Sequence, residues 1–463
     1  MEFCRLRKRH PAFIYHSFQV RQKNKKLRIQ FRFLLKPNIE FAPILVIPFK
    51  NSLPQEQLEN FIFHLGLIEM ISYWKAACSP EIIIKAGCLS SRQIKWWKDL
   101  FIHGLGEFFY QNKINPSRKD LLSIRCEKPK RKIKSKFKLN KREGNLILVG
   151  GGRDSAVSLE LLKKLESRQG SLIFKTTTTS TTIIKPAGKI IKAAGFPPPL
   201  IASRIIDPRL LQLNKQGYLN GHTPFSAYLA FLGVFIAAMH SFKRVIVANE
   251  RSADEKNLTY HSLKINHQYS KSFRFERLFR QYTRQYLTPQ IEYFSFLRPL
   301  YELQISKLFS GFPQYHSLFL SCNPGQKTGY WCGKCAKCAF VYLSLAPFLS
   351  PKKMKKIFGQ NYFYRPEIIS HLEKLVGLKK HKPFDCVGTE KEAILALGLT
   401  LEKHRLNNNP IPPALLALAR KLKLNQKRIK NLKKKILSGW NKKNFLSTRH
   451  VKILKEALKN NGN

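Results

Sequence analysis

The chain has 463 residues, room for two or three domains and a large core. Its 83 Lys and Arg against 28 Asp and Glu set a net charge of +55, with a 43% hydrophobic share that is ordinary for a soluble protein. Nine cysteines, an odd number with three at two-residue spacing, exclude a disulfide scaffold and suit a reducing compartment and a metal.

The basic excess has two readings. Drift of composition toward lysine accounts for most of it, because the lysines are spread over the whole chain. A polyanion partner, nucleic acid or an anionic surface, is the other. The N-terminus, MEFCRLRKRH, is followed by no apolar stretch and predicts no signal peptide. The longest apolar run, residues 224–239, is short for a membrane span and predicts a buried helix. The expected location is the cytoplasm.

Residues 1–126 read as a separate accessory α+β region. Alternating runs at 13–20 and 27–33 around a polar turn predict a hairpin. A helix is expected over 55–75, a strand over 82–87 and one aromatic-rich helix over 92–110, its rings serving the core. Residues 127–142 hold nine Lys and Arg among sixteen residues and read as a solvated linker. An α/β domain follows over 143–400. Strands at 145–148, 172–174, 200–206 and 244–248, with helices between them, predict a parallel sheet covered on both faces. The threonine-rich run 176–182 is given no role. Residues 401–463 predict a basic helical tail without motifs, dispensable for catalysis.

The most informative stretch is Gly150, Gly151, Gly152, Arg153, Asp154 and Ser155. It follows a strand and precedes a helix on which Val157, Leu161, Leu162 and Leu165 recur at helical spacing. Such a turn points backbone N–H groups and the positive helix end at a phosphate. Glycines permit close approach, Arg153 offers a charged fork and Ser155 a further hydrogen bond. The Lys-Ser/Thr pair of the ordinary P-loop is missing, and so is the third glycine of the dinucleotide fingerprint. The stretch resembles the pyrophosphatase loop of the PP-loop ATPases, Ser-Gly-Gly-x-Asp-Ser, with Gly150 in place of the first Ser. That resemblance implies ATP cleavage between the α and β phosphates and transfer of AMP to a substrate oxygen.

Cys322, Cys332, Cys335 and Cys338 are spaced C-x9-C-x2-C-x2-C. Four thiolates from so short a stretch close a tetrahedron around zinc, with Gly333 easing the knuckle. Four sulfur ligands leave no open position, so the expected zinc is structural. Cys386, Cys78 and Cys88 have no partners at metal spacing. Glu250 and Asp254 follow strand 244–248, where open α/β sheets bind ligands. His267, Tyr269 and Lys271 lie in a segment dense in proton-transfer and anion-binding groups. His222 precedes the apolar helix, with Thr223 placed to cap it and Pro224 at its first position.

Several longer motifs look together like one family, the UDP-N-acetyl-α-D-muramoyl-L-alanyl-L-glutamate epimerases, or MurL family. They are GGGRDS, NGHTPFSA, ANERSA, NHQYSKSF, Arg298-Pro299-Leu300, SCN, WCGKCAKCAFVYLSLAPFL and KPFDCVG, with the WW and GLGEFFYQN stretches upstream. The resemblance covers roughly residues 10 to 395. The family pattern has Lys where this chain has Arg153. The resemblance implies the PP-loop (adenine nucleotide α-hydrolase-like) fold. It also implies an ATP- and Mg²⁺-dependent epimerisation of the terminal L-Glu of UDP-MurNAc-L-Ala-L-Glu in peptidoglycan precursor synthesis. The Gly150 to Ser155 loop would take the β,γ-phosphates. His222, Glu250, His267, Tyr269 and Lys271 would be the pool of acid, base and substrate contacts. The alternatives are a 7-cyano-7-deazaguanine synthase-like enzyme, which also pairs a PP-loop with four close cysteines, and a tRNA-modifying or RNA-binding protein suggested by the charge.

Overall fold

The structure is a computed structural model that describes residues 2–51, 53–127, 143–165, 167–176 and 184–460. Nearly all of the expected basic linker, and all but the first residue of the threonine run, lie outside these. The strands are β1 (Ala12–Lys23), β2 (Lys26–Leu35), β3 (Ile39–Phe41), β4 (Ile44–Pro48), β5 (Glu81–Ile84), β6 (Ser123–Cys126), β7 (Asn145–Leu148), β8 (Gln169–Thr176), β9 (Leu200–Ile205), β10 (Arg244–Val247), β11 (Leu258–Tyr260), β12 (Leu263–Ile265) and β13 (Glu292–Ser295). Among the described residues, all but the β11–β12 hairpin join one mixed 11-stranded sheet in the order β13-β10-β7-β8-β9-β4-β2-β1-β5-β6, with β3 on β2.

Two patterns build this sheet. The β1–β2 hairpin alternates, and Leu27, Ile29, Phe31, Phe33 and Leu35 all point inward from β2. The strands from β13 to β9 pair in parallel and are covered on both faces. Their pleat feeds two cores. Leu146, Leu172, Val245 and Tyr293 enter one. Ile147, Ile173, Ile246 and Phe294, each one residue further on, enter the other.

The first core is filled by helices Gln55–Trp74 and Phe225–Met239, both buried on nearly every face. The second takes helix Arg153–Leu162 and the C-terminal helices. Pro224 stands at the N-cap of Phe225–Met239, one position earlier than expected, and makes no side-chain cap bond.

Three expectations need correction. The N-terminal region is not set apart. β4 pairs antiparallel with β9, Leu45 opposite Arg204, and the sheet runs through. A buried Arg204–Glu69 pair at 2.7 Å ties β9 to helix Gln55–Trp74. The single helix expected over 92–110 is two, Ser91–Gly104 and Gly106–Gln111. The boundary at 400/401 cuts helix Glu390–Leu406, and the segment beyond it is no loose tail. Leu415, Leu418, Ile429, Ile436 and Leu454 are buried in the second core, so removing it would expose that core. No helix among the described residues is long and apolar enough to cross a membrane.

Candidate active site

Counted from β7, the five parallel strands have the order 3-2-1-4-5. The chain winds from β7 outward through β8 and β9, then returns to the other side of β7 as β10 and β13. The crevice where the winding reverses lies between the carboxyl ends of β7 and β10, the usual ligand position in an open α/β sheet. The glycine loop follows β7, Glu250 follows β10, and Arg298 follows β13.

The loop is shaped by its own bonds. Gly151 has φ +81°, which favours glycine, and an added Cβ would meet the Ala187 backbone at 2.9 Å. The Gly150 N–H donates to Ser155 Oγ at 3.1 Å, and the Leu320 N–H donates to the Gly151 carbonyl at 2.9 Å. A Cβ on Gly150 would meet nothing within 4 Å, so the loop opens there on free space. No side chain caps the first turn of helix Arg153–Leu162, which leaves its N–H groups to an anion.

Arg153 does not serve as the expected phosphate fork. It is buried, paired with Glu302 and with Asp154 at 3.0 Å. It also donates to Ser306 Oγ at 2.6 Å and Ser344 Oγ at 3.1 Å. A guanidinium with its donors so engaged holds the loop from behind.

Asp154, Glu250 and Glu302 bring one carboxylate oxygen each to within 4.8 Å of one another. Glu250 Oε1 is buried and has no hydrogen-bond partner among the described residues. Hard oxygen donors beside a phosphate-ready loop fit a divalent cation such as magnesium. Burial raises the Glu250 carboxyl, Lys271 opposes this and Asp154 adds to it. Arg298 places both neighbours. It is fully buried, pairs with Glu276, and donates to the carbonyl of Glu250 at 2.7 Å and to that of Lys271. Asp254 accepts from the Phe273 N–H at 2.7 Å.

Lys271 joins the carboxylates to a second cluster. Its Nζ donates to Cys386 Sγ at 3.3 Å. Burial would lower its ammonium, but the charges of Cys386, Glu250 and Asp154 raise it. Burial would push the Cys386 thiol up; Lys271, Lys337 and His267 pull it down to about 5. Burial would lower the His267 imidazole, but the Cys386 thiolate and Glu107, the latter hydrogen-bonded to its Nδ1, raise it to about 9. His222 Nδ1 lies 3.4 Å from Glu107 Oε2, and its ring centroid is 4.5 Å from that of His267. Burial, His267 and Lys75 lower it to about 3. One histidine is therefore charged and the other neutral at neutral pH.

Tyr269 is not part of this group. Its hydroxyl donates to Asp99, its ring stacks on His103, and burial raises its phenol. It fixes helix Ser91–Gly104 against the 3₁₀ turn Tyr269–Lys271.

Behind the loop, the four cysteine sulfurs of Cys322, Cys332, Cys335 and Cys338 lie within 4.8 Å of one another. Cys322 and Cys335 are 3.7 Å apart, Cys332 and Cys338 3.6 Å. A Zn–S bond near 2.3 Å gives tetrahedral edges of about 3.8 Å, so the donor set fits zinc. Gly333 has φ +64° in the knuckle, as expected.

Residues 5–296 match the family model described as the MurL N-terminal domain, and residues 318–430 match the MurL C-terminal domain. The chain belongs to the MurL family. Its relatives in the family include proteins named UDP-N-acetyl-alpha-D-muramoyl-L-alanyl-L-glutamate epimerase. One, from Xanthomonas oryzae pv. oryzae, is 32% identical over 347 residues, 72% of this chain and 73% of the relative. Another, from Salinispora tropica, is 31% identical over 386 residues, 81% of each chain. The MurL match runs to residue 430, past residue 395, where the sequence resemblance ends, and into the expected tail. It also takes in Cys386, passed over for lack of metal spacing although it stands in the KPFDCVG motif. Glu107 was missed too, lying in an aromatic stretch that reads as core.

Proposed function

We propose that this protein epimerises the terminal L-Glu of UDP-MurNAc-L-Ala-L-Glu to D-Glu in peptidoglycan precursor synthesis, with cleavage of ATP to AMP and pyrophosphate. The supporting observation is the meeting of an open glycine loop, three carboxylates and the group formed by Lys271, Cys386, His267 and Glu107 beyond the carboxyl ends of the parallel strands. The family's curated relatives carry the epimerase name.

The chemistry needs both halves of the site. Enolising a free carboxylate builds a second negative charge on it, so its α-hydrogen resists removal. Capping the carboxylate as an acyl-adenylate makes it ester-like and lowers that barrier. Gly150, Gly151, Gly152, Asp154 and Ser155 would hold the β,γ-phosphates. Magnesium, held by Asp154, Glu250 and Glu302, would neutralise phosphate charge. Zinc held by the four cysteines would be structural. His222 and His267 would serve as proton carriers, and Lys271 as a contact for anionic groups in the site. Both nucleotides are cytoplasmic metabolites on this reading, and we place the enzyme there. Family membership favours the epimerase over the 7-cyano-7-deazaguanine synthase and RNA-binding alternatives.

The test is a coupled assay for AMP release with the muramyl dipeptide nucleotide and ATP, followed by chiral analysis of the glutamate. D-Glu forming in step with AMP is the expected result. AMP release with only L-Glu recovered would overturn the proposal.

A further inference from the structure

We infer that the Cys386 thiolate is the base that removes the glutamate α-proton, with Lys271 and His267 as its fixed counter-charges. This rests on the epimerase reading and assigns a residue within it.

The geometry is a chain of contacts. Glu107 holds the His267 ring, and Lys271 donates to Cys386 Sγ at 3.3 Å; the His267 imidazolium and the Cys386 thiolate stabilise each other's charge. The charges of Glu250 and Asp154 also act on Lys271, and Arg298 donates to the backbone carbonyls of both Glu250 and Lys271. Cys386 as a residue is only partly buried, although its thiol lies deep enough for burial to oppose its charge. Two cations around one thiolate keep it deprotonated without a separate activating step.

The other members of the pool are poorer bases at neutral pH. Lys271 and His267 are held protonated. His222 is neutral but weakly basic. The Tyr269 hydroxyl is spent on Asp99. Glu250 faces the candidate cation site.

In the step, the Cα–H bond breaks and an S–H bond forms. The C–H electron pair moves into the activated carboxyl as an enolate, so the negative charge leaves sulfur for an oxygen near the same two cations. A proton derived from water returns to the opposite face, delivered by a second group. That group is not Lys271, because a 3.3 Å separation from Sγ leaves no room for a carbon between them. The Cys386 proton then exchanges with solvent.

The experiment uses the full-length enzyme in deuterated water with ATP and either epimer of the muramyl dipeptide nucleotide. Cys386→Ala and Cys386→Ser are compared with wild type, with zinc content and unfolding midpoint as folding controls. Both variants should lose epimerisation at least a hundredfold while still forming AMP. They should exchange the α-hydrogen of one epimer and not the other, because only one face has lost its base. Retained exchange from both epimers in a folded variant would overturn the assignment. So would a substrate adduct on Cys386 by intact mass, since the sulfur would then be a nucleophile. If wild type itself forms no D-Glu, the epimerase reading fails first.

Discussion

Lys271 Nζ lies 3.3 Å from Cys386 Sγ although 115 positions separate them in sequence. The ammonium is the first of the charges that pull the thiol down to about 5 against its burial. Removing it as Lys271→Met should raise the thiol toward its ordinary range. Iodoacetamide labelling of Cys386, followed by mass spectrometry, should be nearly flat above pH 6 in wild type. In the variant it should fall steeply below pH 8. Identical profiles would mean that His267 and Lys337 suffice. Epimerase activity at neutral pH should drop by roughly 10²–10⁴, because the Cys386 base would lose its ionised form.

Arg153 and Asp154 are neighbours with different tasks. Arg153→Ala leaves the buried Glu302 without its counter-ion and should cost about 3–5 kcal/mol in denaturant unfolding. Asp154 is less buried and lies in the open glycine loop. Asp154→Ala should keep the unfolding midpoint within a few degrees and abolish AMP formation. Equal stability losses in the two variants would contradict this division.

The four-cysteine unit should carry one zinc per chain by elemental analysis. Cys335→Ser should lose it and unfold at lower temperature, since metal binding is coupled to folding. The damage should reach the loop. Cys335 caps helix Ala336–Leu345, whose Ser344 holds Arg153, and the Leu320 N–H holds Gly151. AMP formation should fall with zinc content. A zinc-free protein with wild-type stability would count against the site.

The site also sets a pH dependence of stability. His267 is raised to about 9, so its contribution is complete below its ordinary 6.5 and lost as pH rises through 9. Cys386 is lowered to about 5, so its contribution is complete above its ordinary 9 and lost as pH falls through 5. Between these ordinary values the two slopes oppose each other. Below 6.5 the unfolded chain also protonates His222, which the folded protein refuses down to about 3. Denaturant midpoints should therefore fall between pH 6.5 and 5, and His222→Gln should shallow that slope. An unchanged slope would refute the burial assigned to His222.

Much of this was legible in the chain. The β1–β2 hairpin, strands β7 to β10, the glycine loop and the four cysteines announce themselves by period and spacing, which are local properties. The joint between β4 and β9 was not legible. ILVI lies between Pro43 and Pro48, and its partner is more than 150 residues away, so nothing local marks it as the seam of one sheet. Arg153 looked like a phosphate ligand because arginine usually is one near glycines; its burial against Glu302 depends on a helix from elsewhere in the fold. Cys386 and Glu107 carry no spacing signal, and only folding brings them to His267. Tyr269 shares a short segment with His267 and Lys271, yet its backbone turn sends the hydroxyl to Asp99.

The most direct test of the account is turnover in deuterated water with and without ATP. If the activated carboxyl is what makes the α-hydrogen removable, deuterium must enter the glutamate α-carbon as D-Glu appears. AMP must form in step with it, and omitting ATP must stop the exchange. Exchange that continues without ATP would mean a proton-transfer site that needs no activation, and the glycine loop would have no part in the reaction. AMP formed with no deuterium in the product would equally contradict the account.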